Sequence, residues 1–182
     1  MNKKEQMSAI VWDGGDYPGS LSLRHLDVPT PDAGWVRFRT EACGICGSDT
    51  HVVAGGSKYL VPKGNFPAVL GHENAGVVVD VGDGVTAVSP GDRIAVEPLH
   101  GCQQFGATCR MCESGKYHLC LNGLVHVGLP LVRNIHGGFG EYSVAHESRC
   151  FKIPDDVSLL GAATLDIVAV CVHALNLSPP SV

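Results

Sequence analysis

The chain has 182 residues, with 13 Lys and Arg against 18 Asp and Glu, a formal charge of −5. At 45 % hydrophobic and 17 % charged residues it is too apolar for a disordered segment. Its acidic balance excludes the basic footprint of a nucleic-acid binder, and it has no uncharged apolar run of about 18 residues to span a membrane. Ala9–Trp12 is too short for a secretory h-region, so a cytoplasmic chain with reduced thiols is expected.

Residues 1–155 read as one mostly β domain with short helices. Ser8–Trp12 and Leu21–Val28 are short strands around the turn Asp13-Gly14-Gly15-Asp16. Trp35–Cys43 is the clearest strand: Val36, Phe38, Thr40 and Ala42 alternate with Arg37, Arg39 and Glu41. Ala75–Val81, Arg93–Val96 after the turn Pro90-Gly91-Asp92, Leu124–Leu129, Glu141–Ala145 and Cys150–Ile153 complete the set. Many short strands with Gly/Pro turns indicate a partly closed barrel or sandwich. From residue 156 the character changes. Ser158–Leu175 reads as one apolar, mostly buried helix, with Asp155, Asp156 and Ser158 as start signals and Pro179-Pro180 as the stop.

Eight cysteines, in a chain without an export signal, suggest metal binding more than disulfides. Cys102, Cys109, Cys112 and Cys120 fall within one polar loop, spaced x6, x2 and x7. Four thiolates complete a tetrahedral zinc shell, and the C-x2-C step sets two sulfurs on one side of the ion. Such a centre carries a charge of −2, which Arg110 and Lys116 offset. Cys102 is the preferred first ligand, with His100 and His118 as alternatives. A catalytic zinc takes about three protein ligands and one open position. Cys46 and His72, each at a strand–loop junction, suit two of them.

The strings Cys43-Gly44-Ile45-Cys46-Gly47-Ser48-Asp49, Gly71-His72-Glu73, Val81-Gly82-Asp83-Gly84-Val85 and Pro90–Pro98 stand in order, followed by the cysteine loop. In this order the chain, over about residues 7–175, resembles the zinc-dependent medium-chain alcohol dehydrogenases, close to the polyol and threonine dehydrogenases. The resemblance implies a GroES-like catalytic domain and two zinc ions per chain, one structural and one catalytic. It implies that Cys46 and His72 bind the catalytic zinc and that Glu73 is an alternate ligand or lies behind it. Ser48 would take the proton of a small alcohol substrate, with His51 further along the relay, while Cys43 is a core residue. The third ligand would be Asp166, in a segment that resembles the one carrying the acidic ligand in those enzymes. Asp166 is also the only formal charge from Val157 to Val182, and a lone carboxylate in an apolar helix is costly unless paired or metal-bound.

Hydride chemistry needs a dinucleotide fingerprint. Gly82-Asp83-Gly84-Val85-Thr86-Ala87 matches in letters only, because Pro90 forbids the helix that must follow. Gly137-Gly138-Phe139-Gly140 likewise leads into a strand. NAD or NADP would therefore bind only through a nucleotide domain absent from these residues, with residues 156–182 leading towards it. This chain alone is expected to be inactive, and to associate with copies of itself through Ile167, Val168, Val170 and Val172. The alternative is a stand-alone zinc-binding module without redox activity. Gly55–Phe66, with Lys58, Tyr59 and Lys63, is expected to line the pocket.

Overall fold

A computed structural model describes residues 5–55 and 61–179. Lys58 and Tyr59 of the expected pocket wall, and Pro180 of the helix stop, lie outside the described residues. Ten strands and four α-helices follow in chain order. The main sheet has five antiparallel strands in the order β10-β6-β5-β3-β9. These are β3 (Trp35–Gly44), β5 (Glu73–Val81), β6 (Arg93–Val96), β9 (Tyr142–His146) and β10 (Cys150–Lys152). Beside it lies the sheet β2-β1-β4, formed by β1 (Gln6–Trp12), β2 (Leu21–Asp27) and β4 (Ala68–Val69). An antiparallel bridge from Ala9 to Gly140 stitches the two. The result is the expected mostly β, partly open barrel.

The alternation in β3 is what closes it. Val36 and Phe38 are fully buried against Val78, Ile94, Val96 and Ala145, while Arg39 and Glu41 face outward. Each such apolar side chain contributes about 1.5–3 kcal/mol on leaving water. Both glycine-rich decoys are turns: Gly82–Gly84 joins β5 to β6, and Gly137–Gly140 feeds β9. Expected Leu124–Leu129 shortens to β8 (Val125–His126), which pairs with β7 (Leu99–His100).

The C-terminal segment corrects the sequence reading. The apolar run is two helices, α3 (Leu159–Ala162) and α4 (Leu165–Leu177), rather than one. Ser158 caps α3 by accepting from the Gly161 N–H at 3.0 Å, whereas Asp155 and Asp156 lie outside the helix. The Thr164 hydroxyl donates to the Gly161 carbonyl at 2.7 Å where the two helices meet. Ala162 and Ala163 are buried against Ala75, Ala95 and Ile153, with Val157 and Leu159 partly buried beside them. No residue of α4 is buried, and Val170 is 65 % exposed. Its apolar composition therefore does not mean burial here, because no described element covers it. Among the described residues, no helix is long and apolar enough to cross a membrane.

His100 is fully buried and stacks on Trp35, with ring centroids 5.2 Å apart. Its Nδ1 lies 3.1 Å from the Pro98 carbonyl and its Nε2 accepts from the His146 N–H at 3.1 Å. That pairing requires the neutral ring, and burial lowers its pKa from 6.5 to about 4. The unfolded chain thus takes up a proton between those values that the folded chain refuses, so stability falls as pH drops through this window. The shift corresponds to about 3 kcal/mol. Urea unfolding should show the stability gap between wild type and His100→Gln narrowing towards pH 4. A gap independent of pH would contradict the assignment.

Candidate metal centre

The pairing of β3 with β5 sets Gly44 directly opposite Glu73. β3 ends there, and two residues later Cys46 caps α1 (Gly47–Val53); His72 immediately precedes β5. One sheet end therefore brings together Cys46, His72 and Glu73, whose ligand atoms all lie within 4.8 Å of one another. Gly44 is required by this approach: a Cβ on it would stand 1.9 Å from Glu73 Oε2. His72 and Glu73 are each 4 % exposed, and Glu73 Oε1 has no hydrogen-bond partner among the described residues. A buried carboxylate oxygen left without a partner is costly, and a cation held there removes that cost.

α1 positions the rest. Val52 and Val53 bury beside Trp12 and Leu70 and pin the helix. Its first turn then presents Ser48, with Oγ 3.4 Å from His72 Nε2. Asp49 is the residue that the sequence reading left without a role. It is 2 % exposed. Its Oδ2 accepts from the Cys46 N–H at 3.0 Å, and its Oδ1 stands 3.4 Å from His72 Nδ1. One carboxylate thus fixes two of the three clustered residues, the arrangement by which carboxylates orient metal-binding histidines. Its place in the third residue of a helix capped by Cys46 was a usable signal.

Burial disfavours a charged His72, but Asp49 and then Cys46 override it and raise its pKa to about 9. Ser48, through its hydroxyl and its backbone N–H, lowers the Cys46 thiol, with help from His72. Both contacts favour the thiolate form of Cys46. Cys43 is the opposite case: burial, reinforced by Asp49, pushes it up to about 12, as befits a core thiol.

Asp166 lies in the first turn of α4, half-buried, and outside the three-residue cluster. Burial raises its pKa; His72 partly offsets this, while Glu73 and Glu97 add to it. It borders the site electrostatically. His51 is exposed in the last turn of α1 and makes no hydrogen bond to Ser48.

Cys102, Cys109, Cys112 and Cys120 form the second cluster, again within 4.8 Å. Cys102 and Cys112 sulfurs are 3.7 Å apart, close to the edge of about 3.8 Å expected for a tetrahedron with Zn–S near 2.3 Å. They are far beyond disulfide length. Short turns build the cluster, including α2 (Arg110–Glu113) capped by Cys109. The backbone N–H groups of Cys112 and Leu121 lower the Cys109 thiol to about 6. Of the alternatives to Cys102, His100 has both ring nitrogens engaged elsewhere, and His118 is absent from the cluster.

Residues 32–155 match the family model described as the alcohol dehydrogenase GroES-like domain. The chain is 36 % identical over 143 residues to the starvation-sensing protein RspB of Escherichia coli, covering 79 % of this chain and 38 % of that protein. It is 32 % identical over 176 residues to sorbitol dehydrogenase of Bombyx mori, covering 94 % and 46 %. Among solved structures it superposes on 2R,3R-butanediol dehydrogenase from Bacillus subtilis with a TM-score of 0.78 at 31 % identity, over 96 % of this chain and 48 % of that one. The chain thus spans less than half the length of these relatives.

Asp49→Asn keeps the shape of the side chain but weakens its hold on His72. Cobalt(II) and zinc(II) competition titrations should show affinity at the Cys46–His72–Glu73 cluster falling by about 10–100-fold. The four-cysteine cluster should be unaffected.

Proposed function

The chain belongs to the alcohol dehydrogenase GroES-like domain family, and from that premise we propose that it is the catalytic half of a zinc-dependent NAD(P) oxidoreductase acting on an alcohol, polyol or amino alcohol. The observation that carries this reading is the convergence of a thiol, an imidazole and a carboxylate at the end of the β3/β5 ladder, with the Ser48 hydroxyl beside them. A soft sulfur, a nitrogen and an oxygen donor suit zinc, and three protein ligands leave the open position that catalysis needs. Cys46⁻ and Glu73⁻ with neutral His72 cancel the charge of the divalent ion, as the set with Asp166 would. Asp166 is then an outer partner that acts on the centre through its charge.

Bound zinc supplies a Lewis acid that lowers the pKa of an alcohol oxygen in the open position. The chain's own residues do the rest. Ser48 accepts the hydroxyl proton of the substrate, within reach because α1 holds it against His72. His51, three residues on and exposed, passes the proton to solvent. Asp49 keeps His72 and Cys46 in place. A nicotinamide would supply the hydride acceptor, and we assign its binding to residues other than the described ones. The four-cysteine centre holds a second, structural zinc. All eight cysteines are free thiols, which supports a cytoplasmic setting, and the bare face of α4 supports contact with the nicotinamide-binding residues or with a second copy.

Two variants test the metal assignment. Zinc analysis should give two ions per wild-type chain and one in Cys112→Ser, with loosening of the loop because metal binding there is folding energy. Cys46→Ser should instead lose the other ion and leave the loop intact. Unchanged zinc in both variants would refute the two-centre reading.

The ligand roles separate by affinity. Glu73→Gln should cost at least about ten-fold in metal affinity at the Cys46 centre, whereas Asp166→Ala should cost less. In the cobalt-loaded protein, a polyol should perturb the absorption of that centre. A larger loss in Asp166→Ala would make Asp166 the direct ligand.

A further inference from the structure

The antiparallel registers align one row across four strands: Cys150 faces Val96, Val96 faces Asn74, and Asn74 faces Cys43. One step nearer the metal centre the same registers bring up Arg149, Glu97, Glu73 and Gly44, and the Glu97 N–H donates to the Arg149 carbonyl at 2.9 Å. Glu97 and Glu73 are thus neighbours of like charge at one sheet end, where direct opposition is unfavourable. Glu73 is buried there with Oε1 left without a partner among the described residues. A ligand so placed depends on how its neighbour is held.

Two donors hold Glu97. The Tyr117 hydroxyl donates to Oε1 at 2.5 Å, and Arg149 Nη1 donates to Oε2 at 3.1 Å. Arg149 is itself buried, with its Cζ 3.4 Å from the centroid of the Tyr117 ring. Burial, reinforced by Glu97, raises the pKa of Tyr117, so the hydroxyl keeps the proton it donates. Tyr117 belongs to the four-cysteine lobe. Its carbonyl accepts from the Cys120 N–H at 2.9 Å. It also packs with Cys112 around Gly101, where a Cβ would stand 2.7 Å from Cys112 Sγ and 3.0 Å from Tyr117 Cβ. An ion that fixes the four sulfurs therefore fixes Tyr117.

We propose that Tyr117, Glu97 and Arg149 are positioning residues that tie the four-cysteine lobe to the Cys46 centre, so that a metal ion in the lobe raises metal affinity at Cys46, His72 and Glu73. With the lobe loaded, both Glu97 oxygens are turned to Tyr117 and Arg149, and Glu73 keeps its place opposite Gly44. With the lobe loose, the Tyr117 contact is lost, and Glu97 is free to crowd Glu73 and disturb the ligand set. The inference rests on the metal reading of both clusters and not on the substrate or the oxidation.

Cobalt(II) reports on the two centres separately in the full chain, because a site with four thiolates and a site with one absorb differently. The lobe is first loaded with one equivalent of zinc, and the Cys46 centre is then titrated with cobalt(II). Tyr117→Phe removes one hydroxyl without changing charge. It should keep its lobe zinc and bind cobalt at the Cys46 centre about ten-fold more weakly than wild type. Cys112→Ser, which empties the lobe, should show a similar loss, and the double variant no further one, because both act through one path. Arg149→Lys keeps the charge but not the planar fork over the ring, and should weaken the centre in the same direction. If Cys112→Ser does not fold, wild type against Tyr117→Phe still decides. A Tyr117→Phe chain that is less stable to urea but keeps wild-type cobalt affinity would reduce the trio to packing and overturn the proposal, as would losses that add in the double variant. Absence of cobalt from the Cys46 cluster of wild type would overturn the metal reading as well, so the two failures are told apart.

Discussion

Antiparallel pairing between β3 and β5, with Gly44 opposite Glu73, is the constraint from which the site follows. A strand pair cannot slip by one residue without turning every side chain to the other face, and here the buried Val36, Phe38 and Val78 forbid that slip. Two bulge-like register shifts in β3 adjust its last residues. The ladder then ends where Glu73 needs a neighbour without a side chain. Barrel packing and metal-ligand geometry are consequences of one alignment.

The two candidate centres use different means to the same end. The four-cysteine lobe has little core of its own and relies on short turns and, when loaded, on the ion. The Cys46–His72–Glu73 cluster is held by protein: α1 is anchored by Val52 and Val53, and Asp49 spans from the Cys46 backbone to the His72 ring. A rigid, pre-oriented set with an accessible side suits chemistry, whereas a closed set of four sulfurs suits structure.

α4 marks the limit of what this chain satisfies by itself. Thirteen residues, almost all apolar, lie without one buried side chain, and the single carboxylate among them stands at the edge of the metal centre. A face of that size is a contact surface in waiting. The helix both adjoins the site through Asp166 and offers its apolar side outward.

Much of this was legible in the sequence because it rests on local rules. Alternation identified β3, glycine and proline excluded the false dinucleotide motif, and thiol spacing identified the four-cysteine centre. The resemblance brought Cys46, His72 and Ser48 to one site, with Asp166 as third ligand and Glu73 as an alternate ligand or a residue behind it. Tertiary structure decided the rest, because the missing information was distance across the fold. The β3/β5 register brings Glu73 within ligand range, while Asp166, carried by α4, stands outside the cluster. Only the buried contact with His72 gives Asp49 its role, and only the absence of a covering element turns an apolar helix from core to surface. Periodicity and spacing describe what a segment can bury or bind; which neighbour it meets is settled by long-range pairing.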